Sequence, residues 1–221
     1  MKKLLFDHKK RSQPPKKRAA KIKAIVFDLG NVLLNYDILK AARWFHKTCG
    51  VSILKIRKHF FAAETEKAYE RGEISTLDFF EYAKQAFKVP IDFESFKNGW
   101  NDIFWENDGM DELTGKLSKT YPLYLISNTN EMHFDYIEKK FGILRHFKET
   151  FPSHRMGARK PEPKIYAKTI ERIGVRPEEM VFIDDVPKFV RGAKKAGMHG
   201  IQFRNKKQLI RDLKRLGVNI S

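Results

Sequence analysis

The sequence predicts an α/β fold: a parallel sheet with helices on both faces, and a helical insertion after the first strand. Three observations support this prediction. Short apolar, β-branched runs alternate with helical patterns along most of the chain, as they do in parallel sheets. Three of these runs end directly in polar residues. The stretch 38–112 has no strong strand pattern and instead shows helical spacing of its apolar residues.

The strand and helix candidates follow one another in a regular order. Four apolar runs are typical of buried strands, at 22–27, 122–126, 180–183 and 200–203, and a weaker candidate lies near 149–151. Helical patterns cover roughly 131–141, 162–174, 187–197 and 206–216. Because strands alternate with helices, we expect all of these strands to run parallel in one sheet.

The insertion carries its own helix signals. Ser75 opens an apolar-periodic run that includes Leu77, and Asp78 stands at the distance of a capping box. Aromatic side chains then recur at spacings of three and four: Phe93, Phe96, Trp100 and Phe104. Amphipathic helices bury such stripes, so we interpret this one as the core of a small helical bundle rather than as a platform for a ligand.

Composition excludes several classes of protein. The 221 residues include 18 Phe, 7 Tyr and 3 Trp, too many for a wholly disordered chain. A single cysteine excludes a disulfide scaffold. No apolar stretch approaches the 18 or so residues of a membrane span, and no signal peptide is visible. We therefore expect a cytoplasmic protein with no membrane partner.

The net charge of +17 is unevenly distributed. Residues 1–23 hold ten Lys/Arg against Asp7 alone, a net charge of +9, and Pro14 and Pro15 interrupt any periodicity. We interpret residues 1–21 as a basic N-terminal arm. Such an arm can bind nucleic acid or another polyanion, but a charge run is more often only a solvated tail. The remaining +8 favours anionic substrates such as phosphate esters.

Chemically useful residues gather where the predicted strands end. Ligands of parallel α/β sheets bind at the carboxyl edge of the strands. Asp28 follows the first strand, Ser127 the second, and the pair Asp184 and Asp185 the third. Alone, each could be a turn former or a helix cap. Lys160 precedes a helix that begins near Pro161, so it is either a cation placed against this site or an ordinary loop lysine.

Together these residue types point to phosphoryl transfer. Clustered carboxylates repel one another unless a cation neutralises them, and oxygen ligands without a Cys/His cluster favour Mg²⁺. An aspartate can attack phosphorus and form an aspartyl phosphate. Mg²⁺, a lysine and backbone amides would then stabilise the charge of the transition state.

The order of these motifs resembles the haloacid dehalogenase superfamily of hydrolases. The resemblance rests on Asp28-Leu29-Gly30-Asn31-Val32, Ser127-Asn128-Thr129-Asn130, Arg159-Lys160-Pro161 and Asp184-Asp185, which cover about residues 22–205. It implies a Rossmann-like core (22–37 and 113–221) with an inserted α-helical cap (38–112). The basic arm lies outside the resemblance.

The resemblance also implies a role for each matching residue. Asp28 corresponds to the nucleophile and Lys160 to the catalytic lysine. Ser127, Asn128 and Lys160 correspond to the groups that hold the phosphoryl, with the Leu29 and Asn128 amides as candidate oxyanion donors. The implied Mg²⁺ ligands are Asp28, the Gly30 carbonyl, Asp185 as a direct ligand, and Asp184 either directly or from behind it.

Gly30 departs from the pattern, because most phosphatases of this superfamily have a second Asp there as general acid. One explanation is a substrate with a good leaving group. The first three motif runs and Glu70-Arg71-Gly72-Glu73-Ile74-Ser75 resemble the α-glucose-1-phosphate phosphatase-like branch, which suggests a sugar phosphate. The alternative is a dehalogenase, which needs neither an acid nor a metal. The pair Asp184-Asp185 favours the phosphatase. His133 could reach the site or be an ordinary helix residue.

Overall fold

The sheet that organises the molecule has five parallel strands in the order β5-β4-β1-β6-β7. A computed structural model describes residues 20–60 and 64–220, so most of the predicted basic arm lies outside the described residues. The strands are β1 (Ala24–Phe27), β4 (Leu123–Ser127), β5 (Glu149–Pro152), β6 (Met180–Asp184) and β7 (His199–Gln202). The predicted parallel α/β fold is confirmed, including the weak candidate at β5.

Helices cover both faces of the sheet. The helices around the sheet are α6 (Met110–Ser118), α7 (Glu131–Lys140), α8 (Ser153–Met156), α9 (Pro163–Ile173), α10 (Pro187–Lys195) and α11 (Lys206–Arg215). Short 3₁₀ turns at Gly142–His146 and Pro177–Glu179 precede β5 and β6. The four helices expected from the sequence are all present, within one to two residues at each end.

Alternation along the strands divides the core into two layers. On β1, Ile25 and Phe27 face one cluster of buried side chains, whereas Ala24 and Val26 face the other. All four residues are fully buried. Because both faces of the sheet are covered, the three central strands β4, β1 and β6 are buried along their whole length and are largely apolar, which made them clear in the sequence. The edge strands β5 and β7 are only partly buried and contain polar residues.

The insertion is helical and has a separate core. Its helices are α1 (Ile38–Cys49), α2 (Ile53–Phe60), α3 (Glu64–Glu70), α4 (Thr76–Phe87) and α5 (Phe93–Asn101). Ser75 caps α4 through the predicted capping box with Asp78. Phe96 and Trp100 are buried in this second core, together with side chains from α1, α2 and α4. The bundle therefore folds around its aromatic side chains, as expected.

Three details of the insertion differ from the sequence-based expectations. Leu77 does not join the core, because its side chain is 63% exposed at the start of α4. Phe104 does not continue the helix of Phe96 and Trp100. It begins β3 (Phe104–Glu106), which pairs antiparallel with β2 (Leu34–Tyr36). Each of these strands has only three residues, too few to show a period-2 pattern, so neither was predicted.

The β2–β3 ribbon lies where the chain leaves and re-enters the sheet layer. Met110, at the start of α6, is fully buried in the sheet core, so α6 belongs with the sheet. The predicted boundary between 112 and 113 falls inside this helix, and the division into 22–37, 38–112 and 113–221 stays a prediction.

Within the described residues, no helix is long and apolar enough to cross a membrane.

Gly72 seats the insertion on the sheet domain. Its φ is +70°, and a β-carbon placed on it would lie 2.3 Å from the backbone carbonyl oxygen of His154. A side chain at this position therefore meets two obstacles, an unfavourable backbone conformation and an immovable neighbour. Gly174 has a similar φ of +72° but open space around it.

We expect Gly72→Ala to lower the free energy of unfolding clearly more than Gly174→Ala. Gly174→Ala should cost about 1 kcal/mol, since it introduces only the left-handed backbone penalty. Gly72→Ala adds overpacking against His154, which typically costs a further ~1–3 kcal/mol. Urea unfolding of both variants measures the difference. Equal losses would show that the contact with His154 does not constrain the packing.

Candidate active site

The carboxyl edge of the sheet brings the predicted acidic residues together. Asp28 follows β1 and Asp184 ends β6, and these two strands are neighbours in the sheet. The amide of Asp28 donates a hydrogen bond to the carbonyl of Ile183, which continues the strand pairing to the nucleophile position. One carboxylate oxygen from each of Asp28, Asp184 and Asp185 lies within 4.8 Å of the others. The sequence-based convergence of these residues is therefore present in the fold.

Lys160 lies between two of these carboxylates. Its Nζ is 2.6 Å from Asp28 Oδ1 and 2.7 Å from Asp184 Oδ2, and only 1% of its side chain is exposed. The ring of Phe189, 5.1 Å from Nζ, borders the same ammonium group. Lys160 is thus a buried cation that is paired twice, not an ordinary loop lysine.

The loop that carries Lys160 is held by Asn128. The Asn128 side chain accepts a hydrogen bond from the Lys160 amide at 2.7 Å and donates one to the Lys160 carbonyl at 2.9 Å. Both ends of the Asn128 amide group are therefore used to position Lys160. The backbone amide of Asn128 is therefore the group that remains for direct contact with a substrate. Ser127, at the end of β4, is 3% exposed and lines the cavity beside Asp28.

The charges in this cluster do not balance. Three carboxylates and one ammonium group give a formal charge of −2, and of these groups only Asp185 is not buried. Burial raises the pKa of Asp28 to about 7, with Lys160 lowering it and Asp184 raising it further. Burial and the charge of Asp184 also raise the pKa of Asp185. Burial alone would lower the pKa of Lys160, but Asp28 and Asp184 raise it, so the lysine remains charged.

A divalent cation fits this imbalance. Its two positive charges match the excess of −2, and its preferred ligands are carboxylate and carbonyl oxygens. Asp184 already accepts hydrogen bonds from Lys160 through Oδ2 and from the Val186 amide through Oδ1. Asp185 accepts only a long 3.3 Å bond from Asn31 Nδ2 among the described side chains, so it has more capacity for a metal. Gly30, whose carbonyl is the remaining predicted ligand, lines the same cavity.

A cavity of about 320 Å³ opens above these residues. The insertion closes its far side with Glu66, Glu70 and Trp100, and the β2–β3 ribbon adds Tyr36 and Phe104. The spacing of Trp100 and Phe104 predicts that both lie in the core of the insertion alone. Both line the cavity as well, because the core of the insertion extends to the point where it meets the sheet.

Ion pairs join the two sides of the cavity. Arg159, the neighbour of Lys160, contacts Glu70 at 2.6 Å, and Arg71 contacts Glu162 at 2.9 Å. Burial raises the pKa of Glu70, while Arg159 opposes this shift. The stretch 70–75 was noted in the sequence only through its resemblance to one branch of phosphatases. Its position at the cavity rim could not be inferred from its spacing.

Tyr36 fills the space beside Gly30. A β-carbon at position 30 would lie 2.8 Å from Tyr36 Cε1, so the phenol ring occupies the place where a side chain would begin. Burial raises the pKa of Tyr36, as do the nearby carboxylates of Asp185 and Asp28, and this keeps the hydroxyl protonated at neutral pH. The ring of Tyr36 therefore occupies the space that an acidic side chain at position 30 would take.

His133 borders the cavity from α7 and is not a surface residue. Its ring stacks on Trp100 at 5.1 Å with an interplanar angle of 9°, and its Nε2 lies 3.1 Å from the Trp100 carbonyl. Burial lowers the pKa of His133 to about 4, and the hydrogen bond to Trp100 offsets part of this shift. The residue is therefore neutral at physiological pH.

We expect His133→Phe to reduce the loss of stability that acid causes. A folded-state pKa of about 4 lies below the usual 6.5, so the unfolded chain takes up a proton first as the pH falls. The contribution of His133 is intact above pH 6.5 and is lost between pH 6.5 and 4, by at most about 3 kcal/mol. Urea unfolding across this range, for wild type and variant, measures the effect. Parallel stability curves would contradict the assignment.

Comparisons with known proteins agree with this geometry. The family model of haloacid dehalogenase-like hydrolases matches residues 22–197. Flavin mononucleotide hydrolase 1 of Arabidopsis thaliana is 27% identical over 205 residues, which cover 92% of this chain and 81% of the relative. D-ribitol-5-phosphate phosphatase of Bacteroides thetaiotaomicron is 28% identical over 193 residues, which cover 83% of this chain and 93% of the relative.

A solved structure shares the fold closely. It is a haloacid dehalogenase family enzyme from Bacteroides thetaiotaomicron, solved in complex with magnesium and inorganic phosphate. It superposes with a TM-score of 0.77 at 26% identity and covers 84% of this chain and 96% of its own.

Proposed function

The chain belongs to the family of haloacid dehalogenase-like hydrolases, and we propose that it is a Mg²⁺-dependent phosphatase that hydrolyses a small phosphomonoester. The observation that carries this proposal is the buried cluster of Asp28, Asp184 and Asp185 around Lys160, with its excess negative charge. The magnesium and phosphate in the related solved structure, and the phosphatases among the relatives, support it.

In the proposed reaction, one oxygen of Asp28 attacks the phosphorus of the substrate. The bond from phosphorus to the leaving oxygen breaks as the aspartyl phosphate forms. The leaving oxygen takes a proton from water or from a proton-donating group near the bound substrate. Water then attacks the phosphorus, which releases inorganic phosphate and restores the Asp28 carboxylate. Lys160, 2.6 Å from Asp28, neutralises charge on the transferring group throughout.

The remaining predicted residues hold the phosphoryl group and the metal. Ser127 and the backbone amides of Leu29 and Asn128 would donate hydrogen bonds to phosphoryl oxygens. Asp28, Asp185 and the Gly30 carbonyl, with Asp184 close by, would hold Mg²⁺, which would supply positive charge to the phosphoryl oxygens. Asp184 holds the Lys160 side chain, and the Asn128 side chain holds the Lys160 backbone. In the proposed reaction these two side chains position the ammonium group of Lys160 and do not themselves bind the substrate.

The cavity suits a phosphorylated sugar or polyol. Its volume of about 320 Å³ lies at the lower end of the range for small-molecule sites. Glu66 and Glu70 line its outer part and can accept hydrogen bonds from hydroxyl groups, while Trp100 and Phe104 offer apolar faces. The narrower assignment to the α-glucose-1-phosphate phosphatase-like branch stays a prediction, as does a cytoplasmic location.

We expect Asp28→Asn to abolish phosphatase activity. The amide is nearly isosteric with the carboxylate but is not a nucleophile, so the turnover rate should fall by at least about 10³-fold. Asp135→Asn is the matched control, since Asp135 lies on α7 outside the cavity, and its one ion-pair partner within the described ranges is Arg155 at 3.4 Å. Inorganic phosphate release from a panel of hexose, pentose and polyol phosphates and nucleotides measures both variants.

The same assay distinguishes the phosphatase from a dehalogenase. EDTA should stop phosphate release, and Mg²⁺ should restore it, because the carboxylate cluster needs a cation. Near wild-type turnover by Asp28→Asn would disprove the nucleophile assignment. Halide release from 2-haloacids that persists in EDTA would instead favour the dehalogenase.

We also expect the rate to depend steeply on the acidity of the leaving group. With Gly30 in the place of an acid, aryl phosphates should react about 10²-fold faster than alkyl phosphates of similar size, the usual lower bound for general acid catalysis. Single-turnover rates across such a series measure the slope. Tyr36→Phe keeps the ring beside Gly30 and removes its hydroxyl, so an unchanged slope would show that the phenol donates no proton. A flat dependence in the wild type would reveal an acid elsewhere.

A further inference from the structure

The positive charge of the described body lies almost wholly in its last 36 residues. Residues 186–221 contain ten Lys/Arg against the single acid Asp212, a net charge of +9. Residues 24–185, which contain the catalytic cluster and the insertion, hold 24 Lys/Arg and 25 Asp/Glu, a net charge of −1. Of the ten cations in residues 186–221, only Lys188 lines the cavity above Asp28, so most of this excess charge lies away from the active site.

The fold gathers part of this charge around one open groove. The groove has a volume of about 680 Å³ and runs along β7 between α10 and α11. Four cationic side chains line it: Lys194, Arg204, Arg211 and Arg215. We call these four residues and β7 the basic groove. None of the four lines the cavity above Asp28.

The basic groove contains too few acidic side chains to neutralise its four cations. Asp212 accepts contacts from Arg211 at 3.5 Å and from Arg215 at 3.3 Å. Neither Lys194 nor Arg204 has an acidic partner within 4.0 Å anywhere in residues 20–60 and 64–220. At least two cations of the groove are thus available to an anion, and the single carboxylate is shared between the other two.

The backbone of β7 forms part of the groove wall. β7 is an edge strand, so one side of it has no strand neighbour in the sheet. A β-carbon at Gly200 would lie 3.0 Å from Lys194 Cε, so the lysine stem crosses the strand closely at this residue. The groove wall therefore combines a flat backbone surface with cations along its length, and no Phe, Tyr or Trp lines it among the described residues.

The second basic segment of the chain joins the body beside this groove. The amide of Lys23 donates a hydrogen bond to the Glu179 carbonyl, and its Nζ lies 2.8 Å from Glu179 Oε1. The neighbouring Glu178 carbonyl lies 3.1 Å from Nε2 of His199, a residue of the groove wall. Lys23, the last residue of this basic segment, is thus linked to the groove wall through Glu178 and Glu179.

From this arrangement we propose that the basic groove binds the phosphate backbone of a double-stranded nucleic acid. A row of cations without aromatic platforms suits phosphate contacts, whereas proteins that bind single strands stack bases on aromatic side chains. The net charge of +9 on residues 186–221 is much larger than the binding of a small phosphorylated metabolite requires. The inference goes beyond the proposed phosphatase activity and does not depend on it.

The test compares two triple variants of the full-length chain. The groove variant is Lys194→Gln/Arg204→Gln/Arg211→Gln. The control variant is Lys47→Gln/Arg57→Gln/Lys58→Gln, which removes the same charge from exposed positions on the insertion. Fluorescence anisotropy with a fluorescein-labelled 20-base-pair DNA duplex, at four salt concentrations, gives the slope of log K against log salt for each.

Each phosphate contact contributes about 0.9 to that slope. The groove variant should therefore lower the slope by about 2–3, and the control variant by less than about 0.5. Both should keep the wild-type rate of phosphate release and the wild-type melting temperature, which shows that they fold. Equal losses in the two variants would overturn the proposal, because binding would then follow net charge and not the groove.

Two further probes test the chemical class of the partner. An RNA duplex of the same sequence should also bind through the groove, since the contacts are to phosphates, and the ratio of the two affinities identifies the preferred duplex. Poly-glutamate and vesicles rich in phosphatidylserine carry negative charge without a duplex. If either depends on the groove residues more strongly than the duplexes do, the groove recognises another polyanion and the proposal is wrong.

Discussion

The ammonium group of Lys160, buried between Asp28 and Asp184, is the interaction on which the active site depends. Parallel pairing of β1 with β6 brings the two carboxylates to the same point of the sheet edge. Like charges this close in a buried site are stable only if a cation separates them. Lys160 supplies that cation through two short ion pairs, 2.6 Å to Asp28 and 2.7 Å to Asp184.

The remainder of the fold keeps this lysine in place. Asn128 binds its backbone from the neighbouring strand end, so the β4 loop and the Lys160 loop form one unit. The preceding residue, Arg159, forms an ion pair with Glu70 of the insertion. A single short loop thus links Asp28, the sheet and the insertion. The ion pair to the insertion lies directly beside the lysine that pairs with the carboxylates.

Much of this architecture could be predicted from the sequence, because buried parallel strands are unbroken apolar runs. The polar residues at their ends, Asp28, Ser127 and Asp184, then had to meet at one edge by topology alone. The resemblance of the ordered motifs added Lys160 and the cap.

What sequence reasoning missed depends on packing between distant segments. The two three-residue strands of the β2–β3 ribbon are stabilised only by pairing with each other, and neither has enough residues for a pattern. Trp100 and Phe104 follow the spacing of core residues and serve as such. Only the seating of the insertion on the sheet turns one side of them toward the cavity. Likewise, the paired contacts of Glu70 with Arg159 join residues 89 positions apart.

The phenol ring beside Gly30 also decides what position 30 can hold. The first carbon of an aspartate there would lie 2.8 Å from Cε1 of Tyr36, at the far end of the tyrosine side chain. An added carboxyl group therefore fits only if this ring turns away, and the partly exposed ring has solvent on one side. The orientation of one aromatic side chain thereby controls how much room remains beside the acidic cluster.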